Sequence, residues 1–193
     1  MRKAIVALLF VAGIGFAQDF GFRSGLGVSA LRGHKALQSL AFGPNAVRLY
    51  PAFSASVGFA FAVDVFALEL QYTLYQAMGE LEMVKGGDFS DLYEAGVRLH
   101  SLEMPLLARF DFGRVYVEVG PQFGANIYAK IYMNNEVKKP IVNVFTVGPS
   151  FGVGIIKAKD LLLGLRGHFG MVEYAERTNG YPWAVQIGMI KFI

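Results

Sequence analysis

From Phe20 onwards the chain alternates between apolar residues and small or polar ones with a period of two. The stretch 115–127 reads VYVEVGPQFGANI, in which the odd positions are apolar and the even positions are Tyr, Glu, Gly, Gln, Gly and Asn. Successive side chains of a β-strand point to opposite faces of a sheet. This stretch is therefore predicted to be a strand with one apolar face and one polar, glycine-rich face.

Seven further runs repeat the alternation, and polar connections separate the resulting eight predicted strands. Long and short connections alternate along the chain. The long links are 32–45, 76–93, 132–139 and 173–182, and the tight turns lie at 63–64, 111–114 and 157–160. Outer-membrane barrels have an even number of strands of about 9–11 residues, with long outer loops and short periplasmic turns. The pattern predicts an all-β fold, an eight-stranded antiparallel up-and-down transmembrane β-barrel with both mature termini on the periplasmic side.

Alternation alone also fits a soluble barrel of the lipocalin kind. The composition of the polar face distinguishes a soluble barrel from a membrane barrel. A face in water would carry many Lys, Glu and Thr residues, whereas this one is mainly Gly, Ala and Ser with isolated charges. Small residues and a few opposed charges suit the crowded interior of an eight-stranded barrel. We therefore expect the apolar face to contact lipid, and a lumenal charge network of structural role formed by Arg23, Glu69, Glu103, Arg109, Glu118 and Arg166.

The N-terminus has the pattern of a secretory signal peptide. Arg2 and Lys3 precede the apolar run 4–17, which ends in Gly-Phe-Ala. Cleavage before Gln18 would leave an outer-membrane β-barrel domain of residues 18–193. Loss of two of the 18 basic residues leaves 16 against 15 acidic ones, so charge gives no argument for nucleic-acid binding. With no cysteine and three scattered histidines, the sequence predicts no lipid anchor, no metal site and no cofactor.

Prolines and charged residues inside the predicted strands each place a requirement on the barrel. Pro105, Pro121 and Pro149 fall inside predicted strands, where a closed barrel offers no free edge, so we expect bulges or breaks in the ladder. Buried charges need partners. Glu118 is the expected partner of Arg109, and Glu69 is expected near Glu103.

Other polar residues leave further functions open. The lumenal charges could form a gated path for small ions or protons. His168 could act as a general base for Ser54, Ser101 or Ser150 in a lipid hydrolase, although no nucleophile motif surrounds these serines. Cations of two long links are candidates for contact with lipopolysaccharide phosphates, or are simply solvated: Arg32, His34, Lys35, Lys138 and Lys139.

Two segments carry a resemblance to a known family. Residues 102–109 read LEMPLLAR, with Glu103 and Pro105, and residues 119–124 read VGPQFG, with Gly120 and Pro121. Together with the segment Glu69-x-Gln71-Tyr72, they resemble the porin-like outer-membrane β-barrel domain family of Bacteroidetes and related bacteria. The resemblance implies an integral outer-membrane protein of the cell envelope whose in-strand prolines are tolerated, and it does not imply pore activity.

Three functions are therefore under consideration. The first is a non-enzymatic structural or surface-contact role through four extracellular loops. The alternatives are a narrow pore for small solutes and, less favoured, an outer-membrane lipid hydrolase. The expected partners are outer-membrane lipid, lipopolysaccharide at the loops and the barrel assembly machinery during insertion.

Overall fold

The computed structural model describes residues 19–32, 47–85, 88–133, 136–138, 143–158, 160–174 and 180–193. Nine β-strands lie within these ranges. They are β1 (Asp19–Arg32), β2 (Val47–Val63), β3 (Phe66–Lys85), β4 (Asp88–Phe112), β5 (Val115–Met133), β6 (Glu136–Lys138), β7 (Phe145–Ala158), β8 (Leu161–Phe169) and β9 (Tyr181–Phe192). In the residues described, no helix has the length and apolarity needed to cross a membrane.

Eight of these strands close into an antiparallel barrel, as the alternation predicts. The order around the sheet is β4-β3-β2-β1-β9-β8-β7-β5, and pairing of β4 with β5 completes the ring. The first and last strands meet in a twelve-residue register from Gly21–Phe192 to Arg32–Tyr181. The ninth strand, β6, pairs only with the end of β5 and is not part of the ring.

The two faces of the barrel are those predicted from the alternation. Large apolar side chains cover the outer surface, for example Leu26, Val57 and Ile187, each at least 60% exposed. The inward positions hold small residues and buried polar ones, including Ser54, Ser101 and Gln122. Such a surface is the reverse of a water-soluble protein and is the arrangement expected of a barrel in lipid.

The tight turns all lie at one end of the barrel. Asp64 and Gly113 have φ angles of 51° and 74°, the left-handed conformation that two-residue hairpin turns require. The first and last described residues are at this end too, because Asp19 pairs with Ala62 and Ile193 donates its N–H to the carbonyl of Phe20. Four aromatic rings, Phe20, Phe22, Phe59 and Phe61, pack there with centroids 5.2–5.8 Å apart. We call this the short-turn end.

Two of the predicted long links are wholly or partly strand. The link expected at 76–93 is a continuation of the β3–β4 hairpin, which stays paired up to Lys85 and Asp88. The link expected at 132–139 contains β6, in which Glu136 pairs with Met133. Both segments were expected to be links because polar and charged residues, such as Glu80, Glu82 and Glu136, interrupt the apolar alternation that marks a membrane strand. The link at 32–45 lies almost wholly outside the described residues.

The in-strand prolines are accommodated by a break in the ladder, as expected. Pairing between β4 and β5 stops at Pro105–Gln122 and resumes at Ala108–Val119 without a change of register. Pro121 and Pro149 are direct partners in the uninterrupted β5–β7 ladder. The pairing of β3 with β4 is interrupted at the same level, between Leu68–Leu106 and Gln71–Glu103, so pairs are lost on both sides of Pro105.

Gly120 allows β4 and β5 to approach each other at this break. A Cβ atom at Gly120 would lie 2.0 Å from the carbonyl oxygen of Leu106, whereas one at Gly96 would have no neighbour closer than 3.5 Å. We expect Gly120→Ala to destabilise the barrel by about 1–3 kcal/mol, because backbone has to move to relieve the overlap. Gly96→Ala, in the same strand pair, should be close to neutral.

Urea unfolding of the two variants in detergent micelles, followed by intrinsic fluorescence, measures this difference. Equal midpoints for Gly120→Ala and Gly96→Ala would contradict the close approach.

Candidate functional site in the lumen

Arg166 crosses the lumen from one wall of the barrel to the other. It lies on β8, four strands around the ring from Glu69 on β3. Its two terminal nitrogens bind the Glu69 carboxylate at 2.5 and 3.0 Å, and its Nε donates to Glu118 Oε1 at 2.7 Å. Since strands on opposite sides touch through one side chain, the lumen at this level is filled.

Two more arginines complete the charge network. Arg109 donates to Glu118 Oε2 at 3.1 Å, as predicted, and Arg23 Nε lies 3.3 Å from Glu69 Oε2. Arg23, Arg166, Glu69 and Glu118 are each at most 5% exposed. An isolated charge in such a place is costly, whereas shared, hydrogen-bonded ones offset each other.

Glu69 lies near Glu103 as expected, two residues along β3 from Gln71, the direct cross-strand partner of Glu103, but Glu103 takes no part in these ion pairs. Its carboxylate accepts hydrogen bonds from Tyr75 OH at 2.5 Å, Thr73 Oγ1 at 2.6 Å and Gln71 Nε2 at 3.2 Å. Glu69 binds the arginines instead. Gln71 joins the two groups because its Oε1 accepts from Arg23 Nε at 2.9 Å.

Neutral polar side chains fill the remaining levels of the lumen. Gln186 accepts from Ser56 and donates to Ser54. Nearer the long-link end, Ser101 donates to Asn126, which in turn donates to the carbonyl of Asn143 at 2.9 Å. The carbonyl of Tyr174, in the segment after β8, accepts from the Asn143 N–H at 3.0 Å. Tyr174 is fully buried, and this burial raises the pKa of its hydroxyl.

A small cavity lies between the Glu103 group and Arg166. Its volume is about 10 Å³, close to that of a single water molecule. Its lining is Gln71, Thr73, Tyr75, Glu103, Gln122, Arg166, His168, Ala184 and Gln186. It is far too small for a solute.

The residues proposed for hydrolysis do not form a catalytic pair. Ser150 is the direct cross-strand partner of His168, but its hydroxyl donates to the carbonyl of Gly167 at 3.3 Å. Neither ring nitrogen of His168 is hydrogen-bonded to a serine. Ser54 and Ser101 are engaged elsewhere, with Gln186 and Asn126. A nucleophile needs a base within hydrogen-bonding reach, and all three serines are buried from lipid.

Sequence reasoning placed the six charged residues on the inward face but missed the partners of Glu103. Thr73 and Tyr75 were candidates by parity, because they occupy inward positions of the same strand as Glu69 and Gln71. The sequence indicated this only through the alternation along β3. Alternation shows which face of the sheet a residue lies on, but not its position along the barrel axis relative to residues of other strands.

The remaining candidates from the sequence are metal ligands and cations that could contact phosphate. Within the ranges described, no group of three or more His, Cys, Asp or Glu residues is arranged to hold a metal ion. Of the cations considered for phosphate contact, Arg32 lies over the ring of Tyr181 at 5.8 Å. His34, Lys35 and Lys139 are outside the described residues, as is the side chain of Lys138.

Comparison with known proteins agrees with this architecture. Residues 16–173 match the family described as outer membrane protein beta-barrel domain, and the chain belongs to that family. It is therefore an outer-membrane protein. The motif residues Glu103, Pro105, Gly120 and Pro121 lie within the matched range. No curated protein matches the chain in sequence.

Two solved structures show a similar fold at low identity. Neisserial surface protein A is 13% identical, with a TM-score of 0.59, and the match covers 89% of this chain and 96% of that one. The outer membrane protein OprG from Pseudomonas aeruginosa is 12% identical, with a TM-score of 0.56, and the match covers 92% and 96%. At this identity the likeness extends to the fold alone.

The position of Arg166 predicts a large loss of stability on its removal. Arg166→Met leaves Glu69 and Glu118 short of a partner, and we expect it to lower the free energy of unfolding by about 3–5 kcal/mol. Adding Glu69→Gln and Glu118→Gln to the same chain should not recover that loss, because Arg23 and Arg109 would then be buried without the carboxylates they pair with.

An exposed ion pair provides the matched control. Lys191 pairs with Asp160 near the short-turn end and lowers the pKa of that carboxyl, but both side chains are about half exposed. Lys191→Met should therefore leave the urea midpoint almost unchanged. A loss for Arg166→Met no larger than for Lys191→Met would show that the network is not stabilising.

Proposed function

We propose that this protein is a closed, non-enzymatic outer-membrane barrel with a structural or surface-contact role. The observation that carries the proposal is the contact of Arg166 with Glu69 across the full width of the lumen. The adjacent cavity, at about 10 Å³, supports the same conclusion. A filled interior leaves the outer surface and the segments beyond the membrane as the parts able to meet a partner.

The β3–β4 hairpin is the best-defined of these segments. β3 has 20 residues and β4 has 25, about twice the length needed to cross a bilayer. In the proposed orientation the short turns and both mature termini, after removal of residues 1–17, are periplasmic. The hairpin then projects from the cell surface. Insertion in this orientation would depend on the barrel assembly machinery.

Shortening the hairpin separates its role from that of the barrel. Gly79 pairs with Ala95, so replacing 80–94 by Asn-Gly closes a two-residue turn in the same register. We expect the variant to insert and to keep its shift in gel mobility on boiling, but to lose attachment of expressing cells to one another or to protein- and glycan-coated surfaces. Attachment equal to that of the wild type would argue against contact through this hairpin.

Its control is an insertion of Asn-Gly at Arg114, in a tight turn at the opposite end. This change should leave attachment intact. Surface labelling of a cysteine placed at Gly86, but not of one placed at Arg114, tests the orientation independently. The reverse labelling would overturn it.

Conductance tests the closed lumen. The wild-type barrel should give no single-channel steps in a planar bilayer, because Arg166 blocks the passage. Discrete steps that disappear in Arg109→Ala would instead favour the narrow pore. Lipid hydrolysis by the wild type but not by His168→Ala would favour the enzyme.

A further inference from the structure

The outer face of β4 and β5 changes character towards the long-link end. Nearer the short-turn end its exposed side chains are apolar, as in Leu102, Leu106 and Val119. Further along, the outward positions become cationic and aromatic. They are Arg98 and His100 on β4 and Tyr128, Lys130 and Tyr132 on β5. We call these five residues the Arg98–Lys130 patch.

A β-bulge turns the β5 part of this patch outward. His100 pairs with Tyr128 but Ser101 pairs with Asn126, so Ile127 is an extra residue. Before Ile127 the even positions face the lumen, whereas after it Ala129 and Ile131 do, each 1% exposed. Bulges re-aim the side chains that follow them. Without this one, Lys130 would point into the barrel.

The patch places two like charges opposite each other. Arg98 and Lys130 are direct cross-strand partners on the outer face. Such a pair is destabilising in itself. In the described part of the chain, neither forms an ion pair with a carboxylate. The repulsion between Arg98 and Lys130 is therefore not offset by any carboxylate in the described part of the barrel.

Tyrosine rings hold both cations in place. Arg98 Cζ lies 5.6 Å from the ring centroid of Tyr132, and Lys130 Nζ lies 5.4 Å from that of Tyr128. A cation over a ring face is attracted by it but keeps its charge. His100 lies beside Tyr128, with centroids 5.7 Å apart, and shares a hydrogen bond with Tyr72 on β3. Arg98 and Lys130 are therefore two cations held in fixed positions on the outer surface of the barrel.

We propose that Arg98 and Lys130 bind a phosphate group of an outer-leaflet lipid, the diphosphorylated lipid A. Two observations favour this ligand. The patch is cationic and the phosphate is anionic. The patch also adjoins the apolar surface of Leu102 and Ile127, so the acyl chains of a lipid whose phosphate binds there can contact that surface. Basic sites next to membrane strands recognise anionic headgroups in this way. The proposal rests on the proposed orientation, which the cysteine-labelling experiment tests separately.

The test is binding of diphosphoryl lipid A to the folded barrel in detergent, measured by native mass spectrometry. We expect Arg98→Ala/Lys130→Ala to weaken binding at least about tenfold. The matched control is Arg114→Ala/Lys157→Ala, which also removes one arginine and one lysine, both exposed, but at the short-turn end. It should change binding less than about twofold. A retained gel-mobility shift on boiling shows that both variants are folded.

Three further probes identify the ligand. Fully dephosphorylated lipid A should bind the wild type and the Arg98→Ala/Lys130→Ala variant equally weakly, and inorganic phosphate and a sulfated polysaccharide should not displace lipid A. Equal losses in the two double variants, or undiminished binding of dephosphorylated lipid A, would overturn the proposal. Displacement by the polysaccharide would assign the patch to a soluble polyanion and overturn the lipid assignment.

Discussion

The requirement that buried charge be neutralised governs the interior of this barrel. An eight-stranded barrel is narrow enough for side chains of opposite walls to meet, and Arg166 uses that geometry to bind Glu69 and Glu118 at once. Arg109 donates a further hydrogen bond to Glu118, and Arg23 forms an ion pair with Glu69 while donating to Gln71. The same contacts fill the space through which a solute would pass. Stability and closure are thus consequences of one arrangement, and in the proposed function the surface that meets a partner lies outside the lumen.

Much of this architecture could be predicted from the sequence, because a strand in lipid has to alternate. The alternation along each strand placed Glu103, Arg109 and Glu118 on the inward face. The tight turns indicated that neighbouring strands are antiparallel. Alternation does not show where residues of different strands lie along the barrel axis, since that depends on how the strands are staggered around the ring. The sequence for this reason placed Glu103 near Glu69 but did not identify its hydrogen-bond donors, which are Gln71, Thr73 and Tyr75. The paired strands within 76–93 were missed because the polar and charged residues of this segment are also typical of a connection.

Most irregular features of the barrel lie on β2 to β5, with one further register shift between β7 and β8 at Ile156 and Ala158. β4 and β5 carry the ladder break at Pro105, and β5 also carries the bulge at Ile127. β3 and β4 continue beyond the length of a membrane strand. By contrast, the pairing of β1 with β9 proceeds without a shift. The two strands at the β1–β9 seam therefore pair regularly on both sides, with β2 and with β8, while most irregular pairing lies on the strands opposite.

The ion pairs of Arg166 also bear on how the protein reaches its final state. Glu69 lies 97 residues before Arg166, and Glu118 lies 48 before it. A hairpin of β7 and β8 entering lipid alone would expose an arginine to hydrocarbon with no counter-charge, at a cost of several kcal/mol. Stepwise entry of single hairpins is thus disfavoured. The chain has to cross the membrane as a nearly closed sheet, and electrostatics makes its insertion cooperative.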